Sequence, residues 1–411
     1  MAFNLIRNAR VFFTTNTNSY GVVGSTGFTA TNTFEIQVLD GLSFTQNTTT
    51  ETITLNEAGA TPNRGQRNFN TALEPVDFSF STYIRPRDID AQESGTGSHQ
   101  VSAEERHLWN AMFGYTALAA AGTGSVAGQA WTDGPDDSVS TSYAAVTLSN
   151  SNRNQLLQFG MIIILDDATF VIDNCVMDTA TLDFGLDTIA MIQWAGKASA
   201  IRQFDKTTLT NGSGATPGAV VTATAVSGSN TPFVGTALLK DTQAAYLANK
   251  LSTVTLKAGI AGSGSSYDIA LTGGSVTIAN NVTYLTPSNL GVVNQPITYF
   301  TGTRSVTGSI NAYLRTGTLS ATALYNALIT ASSTDVNPAY NLTMSIGGSA
   351  TATTRVDLLM PAVVLQIPTI ATEQVISTTI GFTAQGSAST AFDIGANNEI
   401  ELRYYVANTG Y

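Results

Sequence analysis

The sequence is short of the groups from which active sites are built. Its 411 residues hold two histidines and one cysteine. His99 falls in a loop and His107 on a helix. Neither has a second histidine or a cysteine at metal-ligand spacing, so both read as surface histidines. Cys175 lies in the apolar run 170–177, where packing is its expected role, because a lone thiol closes no disulfide within the chain. The adjacent acids Asp136-Asp137 and Asp166-Asp167 sit in turns without EF-hand spacing. The glycine-rich stretches 122–128 and 259–264 lack the Lys-Ser/Thr ending of a phosphate loop. No catalytic residue, metal site or cofactor is expected.

Charge is also scarce, at 11% of residues, with a net value of −11. It is uneven: residues 1–202 carry 20 acids against 10 bases, and the remainder 9 against 8. A chain so poor in Lys and Arg is not built to grip nucleic acid, since neutralising phosphates needs clustered cations. A surface that DNA slides past is not excluded. The apolar run 161–165 is too short to span a bilayer. Residues 1–7 lack the basic start and apolar core of a secretion signal, which points to assembly in the cytoplasm and to no membrane binding by this chain.

What is present is strand chemistry. Thr, Val, Ile and Phe alternate between Gly- and Asn-containing turns, and 43% hydrophobic residues with 18 Phe exclude a disordered chain. The order of these strands occurs twice. Tyr83-Ile84-Arg85 is answered by Tyr313-Leu314-Arg315, and the helix Leu108-Trp109-Asn110-Ala111-Met112 by Leu324-Tyr325-Asn326-Ala327-Leu328. Upstream, residues 34–38 answer to 267–271 and Ser43-Phe44-Thr45 to Ser275-Val276-Thr277; downstream, 181–197 answers to 369–385. Matching order on both sides indicates two copies of one unit. The first occupies residues 1–202, the second 249–411, and 203–248 is a Gly/Ser/Thr-rich linker or insertion. Residues 33–39 and 41–55 are expected to pair as a hairpin. Its outer part, Gln46, Asn47, Thr48, Thr49, Thr50 and Glu51, is too polar for a core and reads as an arm reaching to a partner. The first helix is expected to open at Ala103 behind Ser102 as N-cap, with Glu104 and Glu105 in its first turn.

These features resemble the tail tube proteins of tailed bacteriophages, which share their fold with the ring-forming tube protein of type VI secretion. The entry Asn4-Leu5-Ile6-Arg7-Asn8-Ala9, the early hairpin arm, the helix between alternating strands and the strand pair reaching Trp194-Ala195-Gly196 carry the likeness. It implies a mainly β fold of two tandem barrel or sandwich domains, each with one short flanking helix. It also implies a structural subunit of the virion tail, with rings stacked into a channel for DNA ejection. Sheath, baseplate and tail terminator proteins are implied as partners, and the DNA passes without specific binding. Single-domain relatives close as six-fold rings, so two fused copies predict a trimer with pseudo-six-fold symmetry. Glu35, Asp183 and Asp187 are candidates for an acidic lumen, and residues 280–285 for a second arm. The alternative is another self-assembling virion surface or decoration β protein.

Overall fold

The computed structural model describes residues 9–15, 33–54, 65–89, 100–116, 129–132, 143–148, 155–165, 168–205, 246–259, 265–334, 339–348, 354–371, 376–386 and 398–406. The core of the linker expected at 203–248, the paired acids and His99 lie outside those residues. The first half comprises β1 (Arg10–Thr14), β2 (Thr33–Ile36), β3 (Ser43–Thr54), β4 (Gln66–Tyr83), β5 (Pro86–Ile89), β6 (Gln100–Ala103), α1 (Arg106–Phe113), β7 (Trp131–Thr132), β8 (Ala144–Val146), β9 (Phe159–Leu165), β10 (Ala168–Gly185), β11 (Met191–Ala198) and β12 (Ala200–Asp205). The second comprises β13 (Thr253–Ala258), β14 (Ser266–Tyr267), β15 (Ala270–Ala279), β16 (Val282–Leu285), β17 (Thr298–Thr301), β18 (Ser305–Tyr313), α2 (Ala321–Thr334), β19 (Tyr340–Ile346), β20 (Arg355–Leu365), β21 (Thr369–Ala371), β22 (Ser377–Gln385) and β23 (Glu401–Tyr405). Among the described residues the protein is mainly β, with two α-helices.

The two halves repeat one pairing plan, and the ladders between named strands are antiparallel. One layer of the first half runs β2-β1-β9-β10-β12, and its counterpart runs β14-β13-β19-β20-β23. The other layer runs β3-β4-β11-β10, matched by β15-β18-β22 and then β20 continuing into β21. Strand β10 serves both layers. Its first part pairs with β9 and β12, its second with β11, and it changes layer around Asn174, which has φ 53. Between the layers lie Phe13, Phe78 and Phe159, with Phe13 and Phe159 stacked at 4.6 Å and Phe78 edge-on to Phe159 at 6.2 Å. Helix α1 sets Trp109 against Trp194 at 4.8 Å.

The halves then join. The second part of β10 pairs along β15 from Thr179↔Ala279 to Gly185↔Gly273, which makes one sheet ordered β3-β4-β11-β10-β15-β18-β22-β21. Three cross-strand pairs on its buried face set a phenylalanine over a glycine: Phe78 over Gly196, Phe184 over Gly274, and Phe382 over Gly308. A β-carbon at Gly196 would lie 2.4 Å from Phe78 Cζ, and one at Gly308 2.4 Å from Phe382 Cζ. In the first half the ring comes from β4 and the glycine from β11; in the second the ring comes from β22 and the glycine from β18. Position and volume are kept while the two residues exchange strands.

Two local expectations are corrected. Residues 33–39 and 41–55 do not form a hairpin with each other. The ladder of β2 is taken up by β1, with a Thr33 to Thr14 hydroxyl bond of 3.1 Å, and β3 pairs with β4. Residues 37–42 cross between layers, where Leu39 N already donates to Ser81 O and Gly41 turns at φ 100. Helix α1 begins at Arg106, because Ser102 and Ala103 are held in β6 opposite Arg87 and Pro86. Glu105 takes the N-cap position and makes no side-chain cap bond; its carboxylate accepts from Arg85 N instead.

The exchanged pairs make a direct prediction. Gly196→Ala overpacks the site and costs about 1–3 kcal/mol, while Phe78→Gly leaves a cavity costing at least the ~3–5 kcal/mol typical of Phe→Ala. Combining Phe78→Gly with Gly196→Phe reproduces the second half's arrangement. Denaturant midpoints should show the double variant to be more stable than Phe78→Gly alone.

Candidate functional site: an open sheet face with two free edges

Alternation along the eight strands divides apolar from hydroxyl side chains. On β4, Val76, Phe78 and Phe80 are buried while Asp77, Ser79 and Ser81 face away; on β22, Ile380 and Phe382 are buried while Thr379 and Thr383 are exposed. The outward face is therefore rich in Ser and Thr: Ser43 and Thr45 on β3, Thr179 and Thr181 on β10, Ser275 and Thr277 on β15, Thr307 and Ser309 on β18. Thr181 and Thr277 hydrogen-bond across strands at 3.1 Å. Charges are few, chiefly Asp77, Asp183 and Lys197, and Lys197 pairs with Asp77 at 3.0 Å. Such a face offers many weak hydrogen-bonding groups and no cluster of cations.

The three acids proposed for a lumen lie apart. Asp183 is exposed on the open face. Asp187 lies in the β10–β11 turn at φ 64, paired with Lys250 at 2.9 Å. Glu35 belongs to the other layer, where both its oxygens are held by Arg10 at 2.7 and 2.5 Å. Residues 47–51 of β3 are exposed, paired with the first part of β4 in a long hairpin that leaves the sheet. Gln46 marks its root, bonding Glu74 O, Ser199 O and Ile201 N. The second hairpin, β16 with β17, lies against the first half: Tyr284 donates to Asn174 O, and Asn280 to Met112 O at 2.8 Å. Its loop is tied to the first arm by Leu73 N to Asn294 O at 2.8 Å. That loop exposes Leu290, Val292, Val293 and Ile297.

Buried polar groups stitch the halves together behind the sheet. Trp109 Nε1 donates to Tyr404 Oη at 2.6 Å, joining α1 to β23, and Tyr404 in turn bonds Glu105. Burial pushes the Glu105 carboxyl up to about 7, against the bonds it accepts. Asp173 is likewise raised by burial, to about 6, with Arg202 pulling the other way. His107 is buried, not on the surface, and stacks on Phe34 at 3.8 Å; burial and the nearby Arg106 and Arg87 lower its pKa. A histidine beside Trp109 on an amphipathic helix could have been placed in the core from its spacing to Ala111. Among the described residues no group of three or more His, Cys, Asp or Glu could hold a metal ion, and no helix is long and apolar enough to cross a membrane.

Among the described residues the eight-stranded sheet ends in β3 and β21, each with one strand partner, and shows a hydroxyl face; the chain belongs to the tail tube proteins of tailed phages. It is 30% identical over 408 residues to Tail tube protein pb6 of Escherichia phage T5, covering 96% of this chain and 75% of that protein. No protein-family model matches. The protein is thus a structural subunit of the virion tail.

The buried acid predicts how stability follows pH. Between the usual carboxyl value of 4.5 and about 7, the folded chain keeps the Glu105 proton and the unfolded chain does not, so stability falls as pH rises. The full loss is on the order of 3 kcal/mol. Asp173 acts in the same direction at lower pH, and His107 in the opposite direction below about 6.5. Between about pH 6.5 and 8 the fall belongs to Glu105. Thermal unfolding of Glu105→Gln should be flat across that window where the parent's melting temperature declines.

Proposed function

We propose that three chains close into a ring and that rings stack into the tail tube through which the phage genome passes. Each half, residues 1–202 and 249–411 with 203–248 between them, acts as one of six equivalent units. The observation carrying this reading is the eight-stranded sheet formed jointly by the two halves, whose outer strands β3 and β21 have no second strand partner among the described residues. Eight strands closed on themselves leave an interior that side chains fill, whereas 16–18 already leave an aqueous channel. Three chains give three times eight strands. At about 4.8 Å between strands and ~40° tilt, that barrel is roughly 48 Å across its backbone.

The hydroxyl face then lines the channel. DNA carries one charge per ~1.7 Å of axis, and a wall without cation clusters gives it no sticking place. Asp183 adds weak repulsion. The β3–β4 arm and the apolar loop between β16 and β17 project from the sheet and meet the adjacent ring; exposed Ile53, Phe69, Leu290 and Ile297 suit such a contact. Assembly takes place in the host cytoplasm, and sheath, baseplate or terminator proteins meet the outer layer and the tube ends.

Negative-stain images and native mass spectrometry of the purified protein test this reading. Hollow stacked rings of three chains are expected. Rings of six chains, or halves stacked along the axis, would contradict it. Removing the outer arm, residues 47–72, should leave single rings and abolish stacks.

A further inference from the structure

The seam between β10 and β15 is a template for the two edges that the chain leaves open. Tyr83 and Tyr313 give a common origin, because Met191 lies opposite Tyr83 and Ser377 opposite Tyr313. From there, Thr369↔Thr379, Ile370↔Thr378 and Ala371↔Ser377 repeat Thr181↔Gln193, Leu182↔Ile192 and Asp183↔Met191. Likewise Ser43↔Ser79, Phe44↔Phe78 and Thr45↔Asp77 repeat Ser275↔Ser309, Val276↔Gly308 and Thr277↔Thr307. Strand β21 therefore occupies the place of β10's second part, and β3 the place of β15. Among the described residues β21 pairs with β22 alone, and β3 with β4 alone.

Across the seam Thr181 faces Thr277, Leu182 faces Val276 and Asp183 faces Ser275. We infer that β21 of one copy pairs antiparallel with β3 of a second copy in the equivalent register: Thr369 opposite Thr45, Ile370 opposite Phe44, Ala371 opposite Ser43. This rests on the ring proposed above and specifies its closing contact. The chemistry carries over position by position. The hydroxyl pair Thr181–Thr277, bonded at 3.1 Å, becomes Thr369–Thr45, again two threonines. The buried pair Leu182–Val276 becomes Ile370–Phe44, again two apolar residues. Ile370 is 43% exposed and Phe44 half-buried, so pairing covers apolar surface that a lone chain leaves open. The chain's own β3 is the wrong partner, being seven inter-strand steps away, roughly 34 Å along the sheet. A head-to-tail contact of this kind closes into a ring when its rotation closes.

Paired cysteines read the register. Residues directly opposite in an antiparallel ladder have Cα atoms about 4.5–5.5 Å apart, within disulfide reach, whereas a partner two residues along lies beyond it. Assembled tubes of Thr45→Cys/Thr369→Cys, mildly oxidised, should give covalent species up to the ring size on a denaturing gel. Ser43→Cys/Thr369→Cys should not, and the parent, whose Cys175 is buried, sets the background. Visible rings without cross-linking in the first variant, or with cross-linking in the second, would overturn this register and leave the ring standing. A parent that forms no rings would remove both. Should the paired variant fail to assemble, co-assembled single variants Thr45→Cys and Thr369→Cys must yield only the mixed dimer; like-with-like dimers would overturn the inference.

Discussion

Residues 179–185 of β10 hydrogen-bond along residues 273–279 of β15, and the joining of the two described halves into one sheet depends on that ladder. Without it each half would present its own two-layered sheet with its own edges. With it, Leu182, Val276, Ala180 and Ile278 are fully buried at the join. Burying a side chain of Leu, Val or Ile size stabilises by roughly 1.5–3 kcal/mol, so the join behaves as core and not as a loose contact between domains. Phe184 over Gly274 adds the same close ring-on-backbone fit found inside each half. Behind it, the Trp109–Tyr404 bond and the pairing of β8 with β23 hold the outer layers in step.

One consequence concerns divergence of the halves. The swapped Phe78/Gly196 and Gly308/Phe382 pairs show that sheet packing fixes the summed volume at a cross-strand site, not which strand supplies it. The open face tolerates change differently. It keeps Ser and Thr in both halves, while the charges Asp77, Asp183 and Lys197 all come from the first. A channel lined by such chains would alternate lightly charged and uncharged sectors.

Alternation and strand order were readable from the sequence because both survive when side chains drift. Ser43-Phe44-Thr45 and Ser275-Val276-Thr277 occupy equivalent places, as do Thr181 and Thr369. Strand partners were less readable: residues 33–36 look like half of a hairpin with 43–54, yet their ladder belongs to β1, a choice made by layer crossing and not by local pattern. The Phe–Gly pairs were invisible because each joins residues over 70 positions apart. Of the acids, Asp183 follows from alternation with Leu182 and Phe184, whereas Glu35 depends on which layer β2 joins, and Asp187 on a turn.

Hydrogen exchange resolved along the chain tests the central claim most directly. If the halves share one sheet, amides in residues 179–185 and 273–279 exchange as slowly as those of β4 and β11 at the heart of the first half. Exchange there at the fast rate of an edge strand, with β4 and β11 still protected, would contradict the joined sheet.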